Sequence, residues 1–177
     1  GSGKTTLVSI IMGLIKPSKG SIYIDKLKLK NSNSKQWQYL ISYMPQDTVI
    51  LDTSLETNLK FLSSVDFNIE ILEKYLRLTK LNSFIDKYLN KPKKNLGEKG
   101  DNLSGGEKQR LSMSRTLIEN KPVVILDEPS SSLDKRTTNS IFSELQQNSN
   151  KTIIIISHEP EISKYADFII DMNKITT

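Results

Sequence analysis

Three clusters of small and polar residues in this chain have the types and spacing that phosphate chemistry needs. The first is Gly1-Ser-Gly-Lys-Thr-Thr6, the back half of the pattern G-x-x-x-x-G-K-[ST], whose first glycine would precede residue 1. Glycines let successive backbone N–H groups wrap an anion, and the helix that follows presents partial positive charge. Gly1, Ser2, Gly3 and Thr6 fit that cradle, Lys4 fits a reach to the terminal phosphates, and the Thr5 hydroxyl fits a ligand of Mg²⁺. Gly-Ser-Gly alone is also what an expression-tag scar leaves, but Lys-Thr-Thr leading into an amphipathic helix weighs against that. The second cluster is Val123-Val-Ile-Leu-Asp-Glu128. An aliphatic strand ending in Asp127 places a carboxylate at the carboxyl edge of a sheet, where nucleotides bind in open α/β folds. Asp127 would hold Mg²⁺ through water, and Glu128 would be the general base that polarises an attacking water. The third is Leu103-Ser-Gly-Gly-Glu107, in which Ser104 caps a helix and Gly105 and Gly106 expose N–H groups at its positive end.

Regular elements must carry these clusters. Leu7, Ile10, Ile11 and Leu14 recur at helical spacing and predict a helix from Lys4 that stops before Pro17. A turn then leads into a short strand over residues 22–25, and a second short strand over 40–44 ends at Pro45. Residues 54–89 are helical in texture, with Ile69, Leu72 and Leu76 and then Leu81, Ile85 and Leu89 on one spacing, while 91–101 is polar and turn-like. Ser104 starts a helix running to Glu119, with Leu111, Ser114, Leu117 and Ile118 facing inward. Residues 123–126 form an aliphatic run of the kind buried on both faces of a parallel sheet. A helix over 136–147, another buried strand over 153–156, a short helix and a last strand over 168–171 complete the pattern. Strand–helix alternation at both ends around a helical middle predicts an α/β fold.

Together the clusters resemble the ABC ATPases, whose signature is Leu-Ser-Gly-Gly-Gln/Glu, and the resemblance covers essentially the whole chain. It implies a P-loop NTPase (RecA-like) fold: a mostly parallel sheet core from residues 1–47 and 120–177, with its N-terminal strands missing, and an inserted α-helical subdomain, 48–119, carrying the signature. It implies ATP and Mg²⁺ as ligands. Gln46, in Tyr43-Met-Pro-Gln-Asp47, looks like the Q-loop glutamine that contacts Mg²⁺ and the water. Ser131-Ser-Leu-Asp134 is similar to the D-loop that crosses a dimer interface, which puts Asp134 at the nucleotide. His158, the chain's single histidine, resembles the H-loop residue that contacts the γ-phosphate. The signature turn is implied to grip a nucleotide held by the opposite protomer, so the active unit is a dimer with a second nucleotide-binding domain, as a homo- or heterodimer.

The resemblance extends to exporters. Leu96-Gly-Glu-Lys-Gly100 is similar to the Gly-Glu-x-Gly segment that contacts a transmembrane domain, and Ser54-Leu-x-x-Asn58 looks exporter-like with Thr57 in place of a glutamate. Two departures stand out: the front end, with its adenine-stacking aromatic, is absent, and Glu159-Pro-Glu161 follows the histidine where exporters usually have Arg-Leu. The reading is therefore an ATP-hydrolysing subunit or domain of an exporter, on the cytoplasmic face of a membrane. A soluble ABC ATPase acting on ribosomes or nucleic acid, or a truncated inactive cassette, are the alternatives. Starting on glycine in mid-motif, the chain reads as a fragment.

Composition agrees with one domain. The 177 residues are 36% hydrophobic and 25% charged, with no cysteine to build a disulfide or a thiolate metal site. The longest aliphatic runs fall far short of the roughly 20 residues that span a bilayer, and no signal peptide is visible. Lysines are spread along the chain, with one small group at Lys91, Lys93 and Lys94. A net charge of +5 distributed in this way reads as a solvated basic surface, and no nucleic acid is expected as a partner.

Overall fold

The computed structural model describes residues 3–61, 63, 67–91, 94–148, 150–172 and 174. The chain forms two compact units, Gly1–Ile41 with Ala166–Thr177, and Ser42–Tyr165.

In the first unit, α1 spans Lys4–Ile11. It ends at Gly13, whose φ of 70° suits glycine alone without strain. The Gly13 N–H returns to Ile10 O and the Leu14 N–H to Ser9 O, both at 2.9 Å, which is the Schellman closure of a helix. The helix thus stops well before Pro17. Leu14 lies past its end and is 62% exposed, and Val8 and Met12 are the buried positions instead. The single strand expected over 22–25 is a small antiparallel hairpin, β1 (Tyr23–Ile24) and β2 (Leu27–Lys28), turned at Asp25 with φ 52°. A helix that spacing did not predict, α2 (Ser34–Tyr39), follows. Its Trp37 Nε1 donates to Ile11 O at 2.7 Å and its Gln38 amide to Gly13 O at 3.2 Å, satisfying carbonyls at the end of α1. The strand expected over 168–171 does not form. Phe168, Ile169 and Ile170 are exposed, and among the described residues no strand pairs with them.

The second unit is built on a three-stranded sheet, β3 (Ile41–Met44), β4 (Val123–Asp127) and β5 (Thr152–Ile156), in the order β3-β4-β5. β4 and β5 are parallel, in register from Val123↔Thr152 to Asp127↔Ile156. Every residue of the central strand β4 is buried. At the edge of this sheet β5 is only half-buried, where its isoleucine run had suggested cover on both faces.

The helices are α3 (Leu55–Lys60), α4 (Ile69–Leu78), α5 (Asn82–Phe84) continuing into a π-helical turn at Ile85–Leu89, α6 (Gly105–Ile118) and α7 (Lys135–Asn148). Side chains start several of them: Ser54 Oγ accepts from the Thr57 N–H at 3.1 Å, and Asn68 Oδ1 from the Ile71 N–H at 3.0 Å. Ile69, the first residue of α4, is exposed, whereas Leu72, Leu76, Leu81, Ile85 and Leu89 are buried as their spacing requires.

Two apolar cores result. One gathers Leu55, Leu59, Leu72, Leu76, Phe84, Tyr88 and neighbours from the helical middle. The other packs Met44, Val124 and Leu126 of the sheet against Ile141, Phe142 and Leu145 of α7. Helix α6 serves both, giving Leu111 and Ile118 to the first core and Met113 and Leu117 to the second. It is therefore apolar on two faces and joins the cores, and Tyr75 of α4 also packs against both.

Candidate functional site

Strand β4 ends at Asp127, and the chain then turns at Glu128. Both residues are 8% exposed. Glu128 has φ 48°, in the left-handed region that a non-glycine residue enters at a cost of about 1–3 kcal/mol. Such a conformation persists only where neighbours over-determine it, and here they do. The Glu128 N–H extends the ladder to Ile156 O at 2.8 Å, while its carbonyl accepts from Gln109 Nε2 at 2.6 Å. This bend aims the Glu128 carboxylate at the segment after β5. Oε1 stands 3.4 Å from His158 Nε2, and Oε2 accepts from the His158 N–H at 3.4 Å. The two residues expected to act on a γ-phosphate and its attacking water are thus side by side, placed by the parallel pairing of their strands. The imidazole is 76% exposed and the carboxylate 11%, so the pair opens to solvent on the histidine side.

Asp127 is held from the sheet. Tyr43 of β3 donates its hydroxyl to Asp127 Oδ2 at 3.2 Å. Burial, and then the facing Asp127 carboxylate, push the Tyr43 phenol above its usual range. Gln46 follows Pro45 beyond the end of β3 and is exposed.

The signature turn is a complete capping box. Ser104 Oγ accepts from the Glu107 N–H at 3.2 Å and Glu107 Oε2 accepts from the Ser104 N–H at 2.8 Å. The Ser104 hydroxyl can still donate its own proton. The glycines prove to have a packing role as well as the expected anion access. A Cβ on Gly106 would lie 2.8 Å from Ser132 O and 3.4 Å from Leu133 Cδ2, so α6 abuts the 131–134 loop only because that position is bare. In that loop Asp134 caps α7: its Oδ1 accepts from the Thr137 N–H at 2.9 Å and its Oδ2 from the Thr137 hydroxyl at 2.6 Å. These two bonds hold the Asp134 carboxyl below its usual pKa.

Gly3, Lys4, Thr5 and Thr6 belong to the first unit. Gly3, with φ 74°, is the N-cap of α1, and the first turn contains no acidic residue. Gly1 and Ser2, like Lys93 of the basic group, lie outside the described residues. Gln46 and Asp127 of the second unit offer an amide and a carboxylate oxygen, and Thr5 of the first a hydroxyl, each an oxygen donor of the kind that Mg²⁺ takes. Among the described residues no three His, Cys, Asp or Glu side chains gather into an all-protein cage.

The structure adds residues that motif reading passed over. Gln109 is buried between α6 and the Glu128–Ser132 turn. Its signal was present: a polar residue four positions before Met113 on a buried helical stripe. Arg115 of the same helix ties down the segment after Gln46, donating to Asn58 O at 2.7 Å and Val49 O at 2.9 Å and lying over the Phe61 ring. Its burial pulls the guanidinium pKa below the usual range. Buried Asn58 in turn pins the 51–54 loop through Leu51, Thr53 and Ser54. Against that loop lies the Leu96–Gly100 segment: the Leu96 N–H donates to Thr53 O at 3.0 Å, and Asn95 pairs with Ser54. The Leu96–Gly100 segment, read as contacting a transmembrane domain, and the exporter-like stretch that starts at Ser54 are therefore neighbours. Among the described residues no helix is long and apolar enough to cross a membrane.

Comparison with known proteins converges on one description. The profile of a family described as ABC transporter matches residues 1–131. The chain is 31% identical over 173 residues to the ATP-binding cassette sub-family B member 5 of Homo sapiens, aligning 97% of this chain with 14% of that protein. It is 33% identical over 172 residues to the mesentericin-Y105 transport/processing ATP-binding protein MesD of Leuconostoc mesenteroides, covering 97% and 24%. Likewise it is 32% identical to the beta-(1-->2)glucan export ATP-binding/permease protein NdvA of Bartonella quintana, covering 96% and 29%. Among solved structures, a bacterial Atm1-family ABC exporter with ATP bound superposes with a TM-score of 0.80 at 27% identity, over 90% of this chain and 28% of that one. The chain thus spans less than a third of each of these relatives.

Proposed function

The chain belongs to the ABC transporter family, with the α/β P-loop NTPase fold of that family's ATP-binding domains, and we propose that it is the ATP-binding and ATP-hydrolysing part of an exporter. The observation that carries this reading is the Asp127–Glu128 turn, a carboxylate pair at the end of a buried strand with Glu128 bent toward His158. In this reading Lys4 and the amides of the first turn of α1 bind the phosphates. Thr5, Gln46 and Asp127 would hold Mg²⁺, which would supply charge neutralisation to the phosphates. Glu128 aligns the attacking water and accepts its proton, and His158 holds the γ-phosphate.

Ser104, Gly105 and Gly106 complete the site of a second copy, and Asp134 lies in the loop that meets that copy. Residues 1–47 and 120–177 would form the ATPase core and 48–119 the helical subdomain; within the second unit, the separate helical and sheet cores support a boundary between the helical middle and the sheet. The adjacency of the 51–54 loop and the Leu96–Gly100 segment supports docking of a transmembrane domain there, which would hold the chain at the cytoplasmic face of a membrane. The names of the relatives support export: the NdvA protein is described as a glucan export protein, and another relative as a lipid A-core flippase.

The test is Glu128→Gln in the complete protein. Hydrolysis should fall by about 10²–10⁴-fold, the worth of a general base, with ATP binding retained. Turnover kept at the wild-type rate would assign the base elsewhere.

A further inference from the structure

The turn at Glu128 is hydrogen-bonded by a side chain outside the motifs named above. Gln109 sits on α6, two residues beyond the signature, and is buried. Its amide nitrogen donates to Glu128 O at 2.6 Å and to Ser131 Oγ at 2.9 Å, and its amide oxygen accepts from the Ser132 N–H at 2.9 Å. One planar group thus reaches three successive points of the loop that leaves β4. The bond to Glu128 is the critical one, because Glu128 occupies the left-handed region at φ 48°. With its N–H fixed to Ile156 O and its carbonyl fixed to Gln109, the peptides on both sides of the strained Cα are anchored. Release of the carbonyl would let the turn relax toward an unstrained backbone, and the carboxylate would swing away from His158. Gln109 also lies one helical turn beyond Gly105 and Gly106, whose bare faces pack on Ser132.

We propose that Gln109 is a positioning residue for hydrolysis: it holds Glu128 at the attacking water and fixes the 131–134 loop against the signature turn of the same copy. This rests on the reading of Glu128 as general base and names the device that keeps it in place. Both amide protons of Gln109 are committed to Glu128 O and Ser131 Oγ and its oxygen to the Ser132 N–H, so its removal acts on the chemical step and not on nucleotide affinity. Misplacement of a reacting group by about 1 Å costs on the order of 10²-fold in rate.

The experiment uses the complete protein with Gln109→Glu, which keeps the acceptor for the Ser132 N–H but loses the amide donors. ATP turnover, equilibrium binding of a fluorescent ATP analogue and thermal unfolding are measured together. The expected result is a kcat lowered on the order of 10- to 100-fold with KM and analogue affinity within about 2-fold of wild type. The Glu128→Gln and Gln109→Glu changes combined should be no slower than Glu128→Gln alone, since both act through one carboxylate. Gln109→Met, of similar length and without hydrogen bonds, serves if the charged variant fails to fold. Wild-type kcat in either folded variant, a loss confined to KM, or losses that multiply with Glu128→Gln would overturn the proposal. Full turnover in Glu128→Gln itself would instead remove the reading on which it rests, so the two failures are distinguishable.

Discussion

Two helices of this chain begin with glycine beside a residue suited to phosphate, and their beginnings are built in opposite ways. Helix α1 starts at Gly3, which has no side chain with which to cap, and its first turn contains no acidic residue. Helix α6 starts at Ser104, which caps it, and carries Glu107 in its first turn, closing a reciprocal box. Among the described residues no side chain caps the first helix end, which suits an external anion; the second largely satisfies its own end and places a carboxylate beside it. A phosphate chain should therefore bind by way of α1. On the proposed reading the signature turn would add its contacts only to an anion already held and partly neutralised, as a surface closing on a partner's nucleotide requires.

That contrast can be broken at its strong end first. Lys4→Ala should weaken ATP binding by about 10- to 100-fold, the range for a lost charge-assisted hydrogen bond, as read by equilibrium nucleotide binding. An unchanged affinity would mean that α1 does not carry the phosphates. Next comes the packing of the α6 end. Gly106→Ala would drive a Cβ to 2.8 Å from Ser132 O, so denaturant unfolding should show a loss of about 1–3 kcal/mol. A neutral result would return that glycine to anion access alone.

Glu107→Gln sharpens the comparison from the other side. It keeps an acceptor for the Ser104 N–H and removes the charge, so kcat/KM for ATP should rise by the roughly 2- to 5-fold that a screened charge of about 0.3–1 kcal/mol at a helix end represents. The smallest effect concerns a third helix start. Because its two bonds to Thr137 depress the Asp134 pKa, the stabilisation from that cap is complete above the ordinary carboxylate range. It is lost as pH falls through the lowered value. Asp134→Asn should flatten that acid limb slightly in a titration of unfolding midpoints.

The sequence made these sites legible to different degrees. Ser104 with Glu107 three residues on, and an unbroken aliphatic run ending in Asp127, are local patterns with local causes, and α6 and β4 follow them closely. Leu14 continues the apolar spacing of α1, yet Gly13 ends the helix through backbone conformation, a signal weaker in sequence than Pro17. Phe168, Ile169 and Ile170 have the composition of a strand, but a strand needs a neighbour, and pairing is not a local property. The spacing of Gln109 before Met113 points to its burial but not to its partners. Nothing in its own segment says that its three partners lie at Glu128, Ser131 and Ser132, and only the packing of α6 against the loop after β4 reveals it.

The measurement that bears most directly on a nucleotide shared between copies uses mixed dimers of the complete protein. Lys4→Ala is placed in one copy and Ser104→Arg in the other, or both are placed in the same copy opposite a wild-type partner. ATP occluded per dimer is then counted. If the turn before α1 and the signature turn of opposite copies clasp one nucleotide, separated substitutions spoil the same site twice and leave the other intact, whereas substitutions on one copy spoil both. The reverse pattern, with occlusion kept only when both changes share a copy, would contradict it.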